Sequence, residues 1–572
     1  MNSGNPGDSR SSASEFLTSF DAGRLLWAEL GEFPVMDPEE RRTGDRVVGE
    51  VTAFLRSALD PEEVDRTRSL PDGFLTALQD RGYLRLRAEP GLGGLGLSAY
   101  NAFRVIAAAA AWSVPAGQVL GIQAGVGAGA MLPAMPEGEL REFVRRRIAE
   151  GMVSGFGDTD AAGQNNTFPE MTATPTDDGT AYLLYGRKLF TGHGTVADLL
   201  GVSATVTVGG RRRVGAFFVD TRDAAGFRVA AALEYLGSRG LPNGELVFDG
   251  VRVPRERVLL DDSGPGLPPL VGLLALTGRV YFTGGPALAI ARNCLVWSRE
   301  FLARRTVDGS GLGSYDSVQR LVARTAADVY AMDSVARWSL AGDGPADRLF
   351  ERFTAKNVLT TTAWRAVDRT MSLLAAEGFE TADSKARRGG PAAPLERAFR
   401  DARGLRIAGN IDFRLDEQAG RLLLERHYDG RARARVPSDE LTPEPDPRLS
   451  RTNQEHQKHL GRTLCELTRT CAELTAGHPE RDHLYGRQFL AVAIGRIATE
   501  LVTVTAVLAR AASEPQAEGH GAGQDLADVH CTEAWHRVSV HWRELHAFTV
   551  PDYAKAGRHA LAGPAADALT RP

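Results

Sequence analysis

The sequence predicts a multidomain α+β protein: an N-terminal helical domain, a middle antiparallel β domain, a C-terminal helical bundle, and an extra C-terminal helical domain. Three observations carry this. At 572 residues the chain is too long for one core, since domains average roughly 100–200 residues. Apolar periodicity is helical before residue 150 and after residue 266, but between them it gives way to β-branched and aromatic runs. No amphipathic helix of ordinary length interrupts those runs, which argues against a doubly wound α/β sheet.

Composition narrows the function classes. The chain is 43% hydrophobic and 24% charged, ordinary for a globular protein. With 67 basic and 72 acidic residues it has no footprint for a phosphate backbone, so nucleic acid is not an expected partner. Four cysteines without CxxC spacing give neither a disulfide framework nor a zinc site, and fit a reducing cytoplasm.

Residues 1–20 are polar, carry no secretion signal, and are expected to form a disordered tail. Residues 40–150 make the helical domain. Asp60-Pro61-Glu62-Glu63 reads as a helix start, with a cap, a proline at the first position and acids in the first turn. Residues 105–136 are uncharged, but Pro115, Pro133, Gln118, Gln123 and many Ala and Gly point to two close-packed buried helices, not a membrane span. Glu89–Ser98 (EPGLGGLGLS) contains a glycine pattern, yet no strand precedes it and no acid closes a βαβ unit, so it predicts a tight loop.

The β domain is expected over 151–265. Tyr182–Phe190, Leu199–Val208, Arg213–Val219 and Gly244–Pro254 read as strands, and Gly209-Gly210 as a hairpin turn. Helices return over 266–426, where Ala363, Val367, Met371 and Leu374 share one face. Residues 427–450, rich in Pro, Asp and Arg, read as a linker, and 451–572 as the helical extension. In the extension, Phe489–Leu508 is apolar but carries Arg496 and Glu500 at i, i+4, as in a packed amphipathic helix. His456 and His459 lack the carboxylate and spacing of a metal site, so no metal is expected. His193 is expected to pack.

Four local motifs, in this order and at these separations, resemble the acyl-CoA dehydrogenase superfamily over residues 60–426. Leu236–Leu259 (LGSRGLPNGELVFDGVRVPRERVL) resembles the segment that closes its β domain, and Arg397–Arg403 (RAFRDAR) the segment before its catalytic loop. Glu89–Ser98 resembles its PxxxGGxGLS loop and Gly186–Phe190 (GRKLF) its GxKxW/F segment. The extension is similar to that of the very-long-chain members.

The resemblance implies FAD held between the β and C-terminal helical domains of a homodimer or homotetramer. It implies a flavin loop containing Phe156, Gly157, Asp158, Thr159 and Gly163, and a flavin face of Phe190, Thr191 and Gly192. It also implies a pyrophosphate arginine at Arg305 and a cofactor turn at Ala375 and Ala376. A flavin calls for such an environment: an aromatic face, backbone N–H donors and a cation near its phosphates.

The family's base is a glutamate that removes the α-proton of a thioester, worth typically 10²–10⁴-fold, or about 3–5 kcal/mol. Its two known positions fall on Gly409 and Gly278. Neither holds a carboxylate. Three readings follow. A displaced base, Asp412 foremost, would leave an ordinary acyl-CoA or acyl-carrier-protein dehydrogenase. Loss of catalysis would leave a non-catalytic subunit of a hetero-oligomer. The third reading dispenses with the base: a β-keto acid generates its enolate by losing CO₂, and hydride transfer then gives an enone.

That chemistry is similar to that of flavin-dependent decarboxylase-dehydrogenase-monooxygenases, which make α,β-epoxyketone warheads of peptide proteasome inhibitors with O₂ as co-substrate. It is the leading reading, with a small-molecule or peptidyl β-keto acid as substrate, free or on a carrier protein. The family's FDxxR motif reads Ala275-Leu276-Thr277-Gly278-Arg279. The acid that seats coenzyme A is gone, and Arg279 is expected to pair with the substrate carboxylate.

Overall fold

The computed structural model describes residues 14–261, 264–342, 344, 346–432, 443–514, 522–546 and 552–561. The sequence expectations meet it element by element. Asp60 accepts from the Glu62 N–H at 2.9 Å and starts the helix Pro61–Thr67. The uncharged stretch becomes two buried helices, Ala99–Trp112 and Val114–Gly125, joined at Ser113. They pack so closely that a Cβ on Gly117 would lie 2.5 Å from the Ala110 Cβ. Residues 89–98 form a loop with one short 3₁₀ turn, Pro90–Leu92.

The middle domain is an eight-stranded sheet: β1 (Ser154–Gly157), β2 (Thr172–Pro175), β3 (Ala181–Gly192), β4 (Leu199–Val208), β5 (Arg211–Asp220), β6 (Phe227–Ala232), β7 (Asn243–Pro254) and β8 (Val258–Leu259). Its order is β6-β7-β3-β2-β4-β5-β8, with β1 beside β4. Gly209 and Gly210, at φ 58° and 74°, supply the two left-handed residues the β4–β5 hairpin needs. The sheet is not purely antiparallel: β1 and β2 both pair with β4 in parallel. Those strands reach β4 across intervening chain, so no tight turn fixes their direction.

The C-terminal bundle contains the helices α1 (Pro269–Arg279), α2 (Gly285–Arg304), α3 (Asp316–Ser339), α4 (Leu349–Leu374), α5 (Leu395–Leu405) and α6 (Asp412–Tyr428). A π-helical turn, Val280–Gly284, links the first two. The stripe expected on α4 faces the core, with Ala363, Val367 and Leu374 buried. The extension adds α7 (Arg451–Gly477), α8 (Gln488–Ser513) and α9 (Ala522–Leu545). Two apolar helical stretches, Pro269–Arg304 and Gln488–Ser513, are long enough to cross a membrane, but 67% and 78% of their most apolar windows are buried within the protein.

Two expectations need correction. Residues 1–20 are not wholly a tail: Glu15–Ala22 is helical, capped by Ser14, and buries Phe16 and Phe20. Phe16 stacks on Phe350 at 5.3 Å, so two aromatic side chains outweigh the polar composition around them. Residues 1–13 lie outside the described residues. The segment 427–450 is not wholly a linker either, although 433–442 also lie outside the described residues. Asp446 is buried, accepts from Trp27 Nε1 at 2.8 Å, and fastens its segment to the N-terminal region, while Leu449 joins the core. The apolar helix Gln488–Ser513 packs as expected, and its Arg496 and Glu500 pair with other helices. Arg496 binds Asp416 and Glu500 binds Arg537.

Candidate active site

The residues expected in the flavin loop and at the flavin face form one anchored unit. Lys188, fully buried on β3, donates to the Asp160 carboxylate at 2.5 Å, to the Asp158 carbonyl at 3.0 Å and to Ser203 Oγ at 3.2 Å. Burial lowers the lysine's affinity for its proton, and Asp160 opposes that shift. This pair ties the loop of Gly157, Asp158, Thr159 and Gly163 to the sheet, helped by the Leu189 N–H donating to the Thr159 carbonyl at 2.8 Å. Asp158 itself accepts from Ser203 Oγ and Gln164 Nε2, both at 2.8 Å. Phe156 lies on β1, packed over Gly201, where a Cβ would come within 2.6 Å of its ring.

The β3–β7 ladder is irregular between Lys188 and Thr191. There Phe190 takes a left-handed φ of 56° and leaves 56% of its surface exposed. A phenylalanine held out of the core in that conformation is a cost that the surrounding ladder must sustain. Thr191 is buried, and among the described residues its Oγ1 has no hydrogen-bond partner. Gly192, next on the strand, carries its carbonyl against Gly155. His193 is buried as expected, with Nδ1 on the Ser154 carbonyl at 2.8 Å and Nε2 without a partner among the described residues. Burial pushes it down to about 4, so it is neutral at ordinary pH.

A second group lies on the surface. Arg305 opens a tight hairpin, Thr306–Val307 with Ser310–Gly311, and is exposed. Among the described residues its guanidinium has no partner. The adjacent Arg304 pairs with Glu377, which brings the hairpin to the turn at Ala375 and Ala376. Ala375 there has φ 51° and ψ −131°, a conformation that suits glycine.

The third group surrounds Gly409. This residue has φ 69°, and a Cβ on it would lie 2.9 Å from Phe282 Cζ and 3.2 Å from Arg279 Cγ. Arg279 and Phe282, at i, i+3 across the start of the π-turn, both face this loop. Gly278 is closed by backbone: a Cβ on it would overlap the Gly125 carbonyl oxygen. Both expected base positions therefore lack a carboxylate; at Gly278 backbone also leaves no room for one, whereas at Gly409 the left-handed φ and the Phe282 ring disfavour a side chain.

Arg279 is partly buried, and among the described residues its guanidinium makes no hydrogen bond or ion pair. Burial lowers its proton affinity and the charge of Asp158 opposes that. A cation held in this way calls for an anion. Asp412 does not supply it. Burial alone would raise its carboxyl, but the Arg406 hydrogen bonds and charge hold it below the usual range, with Nε at 2.8 Å. Asp416 is bound by Asn357 and Arg496, and Glu417 by Arg414 and Arg421.

Sequence reasoning missed Lys356. It is buried on α4 and donates to the Arg406 carbonyl at 2.8 Å and the Asn410 carbonyl at 2.9 Å, bracketing Gly409 from behind. Burial pushes it down to about 7, with Asp412 raising it and Arg279 lowering it. In front, Asn410 and Asn165 exchange side-chain amide bonds at 3.1 and 3.4 Å. The usable signal was scarcity: of the few lysines in the chain, Lys188, Lys356 and Lys385 are all fully buried.

Comparison with known proteins agrees with this architecture. Residues 156–251 match the acyl-CoA dehydrogenase middle domain and 278–412 the acyl-CoA dehydrogenase C-terminal domain. The probable acyl-CoA dehydrogenase FadE10 of Mycobacterium tuberculosis is 32% identical over 400 residues, covering 68% of this chain and 60% of that protein. The match thus spans about three fifths of that relative's length. The mitochondrial very long-chain specific acyl-CoA dehydrogenase of Bos taurus is 24% identical over 90% of this chain and 82% of its own. The crystal structure of an acyl-CoA dehydrogenase complexed with FAD from Bacillus anthracis superposes with a TM-score of 0.75 at 17% identity, covering 97% and 95% of the two chains. The chain thus carries segments similar to two acyl-CoA dehydrogenase domains and has the acyl-CoA dehydrogenase fold, with an extra C-terminal helical region.

Proposed function

We propose that this protein is a FAD-dependent oxidoreductase that converts a β-keto acid to an enone by oxidative decarboxylation. The observation that carries the reading is Arg279: a partly buried guanidinium, unpaired among the described residues, beside a Gly409 that stands where a base is expected.

The residues present suit FAD. The exposed Phe190 ring offers an aromatic face, and the orphaned Thr191 Oγ1 a polar contact. The loop of Phe156, Gly157, Asp158, Thr159 and Gly163 offers backbone groups beside them. Arg305, Ala375 and Ala376 form an exposed patch suited to the pyrophosphate of a second copy's cofactor, as a homodimer or homotetramer would need. Bound FAD would supply the acceptor for the hydride that leaves the substrate's β-carbon.

Arg279 does the work of recognition. Its planar fork binds the substrate carboxylate in a bidentate pair and fixes the bond to be broken. When neutral CO₂ leaves, the electron pair of that bond moves onto the ketone oxygen. The net negative charge stays on the substrate, so the guanidinium now faces an enolate and still compensates it. No α-proton is removed, which is why a quaternary, gem-dimethyl α-carbon is acceptable and a carboxylate base is not needed. If O₂ follows as co-substrate, one oxygen atom enters an α,β-epoxyketone. The other leaves as water, using the two electrons that the dehydrogenation released.

An ordinary dehydrogenase with Asp412 as displaced base fits less well, because Arg406 holds that carboxylate. The test is anaerobic bleaching of the purified yellow protein. A gem-dimethyl β-keto acid should bleach it and a saturated acyl-CoA should not. Bleaching by acyl-CoA alone would overturn the reading. A colourless protein that cannot be reconstituted with FAD would favour a non-catalytic subunit.

A further inference from the structure

We propose that Arg496, in the C-terminal extension, is a positioning residue for the Gly409–Asn410 loop, and that bracing this loop is the extension's contribution to the site. The loop's importance rests on the function proposed above. The brace itself rests on a continuous set of contacts.

Arg496 Nε on α8 donates to Asp416 Oδ2 at 3.1 Å. The other oxygen of Asp416, on α6, accepts from Asn357 Nδ2 at 2.7 Å. The same amide group donates to the Asp412 carbonyl at 2.8 Å, at the first residue of α6. Asp412 in turn accepts from Arg406 Nε at 2.8 Å, which ties down the far side of the loop. Lys356, adjacent to Asn357 on α4, holds the Arg406 and Asn410 carbonyls. The segment carrying Gly409 is therefore clamped at 406, 410 and 412, and one route through the clamp begins in the extension.

Backbone packing makes this contact stiff. A Cβ on Gly495 would overlap the Asp416 carbonyl oxygen, and one on Gly420 would overlap that of Ala491. The helices α6 and α8 thus meet at closest approach at the ion pair itself and again about one turn away along α6. Asp416 is 8% exposed and Asn357 4%, so the bonds between them are sheltered from competing water. Without Arg496, the Asp416 carboxylate would be left buried with only the Asn357 amide to compensate it.

The test is hydrogen–deuterium exchange on the full-length protein, which does not depend on the substrate. In Arg496→Met, peptides spanning 404–415 should exchange about tenfold faster than in the wild type, with Arg496→Lys restoring most of the protection. Arg324→Gln is the control, because its Glu533 partner joins α3 to α9 away from the loop. It should leave 404–415 unchanged. If Arg496→Met does not fold, Asp416→Asn, which keeps the amide contact and removes the charge, should raise exchange in the same peptides. Unchanged exchange in these variants overturns the proposal. So does an equal rise in Arg324→Gln, which would mean that any loosening of the extension suffices. Failure of the functional reading shows separately, as a failure of β-keto acids to bleach the flavin.

Discussion

Gly278 and Gly125 meet backbone to backbone: a Cβ on Gly125 would lie 2.5 Å from the Gly278 Cα, and one on Gly278 would overlap the Gly125 carbonyl. The helices Val114–Gly125 and Pro269–Arg279 can cross here only because neither residue has a side chain. A base at 278 would have to force them apart. Gly278→Ala should therefore lower stability by about 1–3 kcal/mol, the usual range for overpacking. Gly278→Glu should cost more and should not confer bleaching by acyl-CoA. Chemical denaturation and anaerobic spectra check the two halves.

Arg279→Gln removes the cation that has no partner among the described residues and keeps a hydrogen-bonding side chain. Charge-assisted hydrogen bonds are worth about 1.5–3 kcal/mol, so kcat/KM for a β-keto acid should fall roughly 10–100-fold. The flavin spectrum should not change. Equal kinetics in wild type and variant would remove Arg279 from substrate recognition.

Ala375→Gly should stabilise the protein. At φ 51° and ψ −131°, alanine carries a Cβ in a region that glycine occupies freely. Relief of about 1–2 kcal/mol, less the extra entropy of glycine in the unfolded chain, leaves a gain of up to about 1 kcal/mol. A rise in Tm measures it.

Lys356 should give stability a pH dependence on the alkaline side. Burial moves it from an ordinary 10.5 to about 7, so between those values the unfolded chain holds a proton that the folded one has lost. Stability then rises with pH from about 7 to about 10, and the penalty for charging the buried amine is fully present below 7. In Lys356→Met that rise should flatten. Urea midpoints measured across this range in both proteins give the comparison.

Much of the fold was legible because its signals are local. The cap at Asp60, the glycine pair at 209–210 and the apolar face of α4 each depend on residues a few positions apart, and each is seen as expected. The helix Glu15–Ala22 was not legible, since only Phe350 and its neighbours make burial of Phe16 and Phe20 worthwhile. The order of strands escaped for a similar reason: nothing in β1 or β2 announces parallel pairing with β4.

The site divides in the same way. The sequence by itself determined that the two positions expected to hold a base are glycine and that Arg279 follows one of them. Only the tertiary structure decided that Gly278 is closed by Gly125 and Gly409 lies against Phe282, that Asp412 is held by Arg406, and that Arg279 has no partner among the described residues. Residue identity is written in the chain, but steric room and charge compensation are properties of neighbours brought together from distant segments. A glycine alone does not reveal whether it leaves space or is there because no space remains, and only packing distinguishes the two.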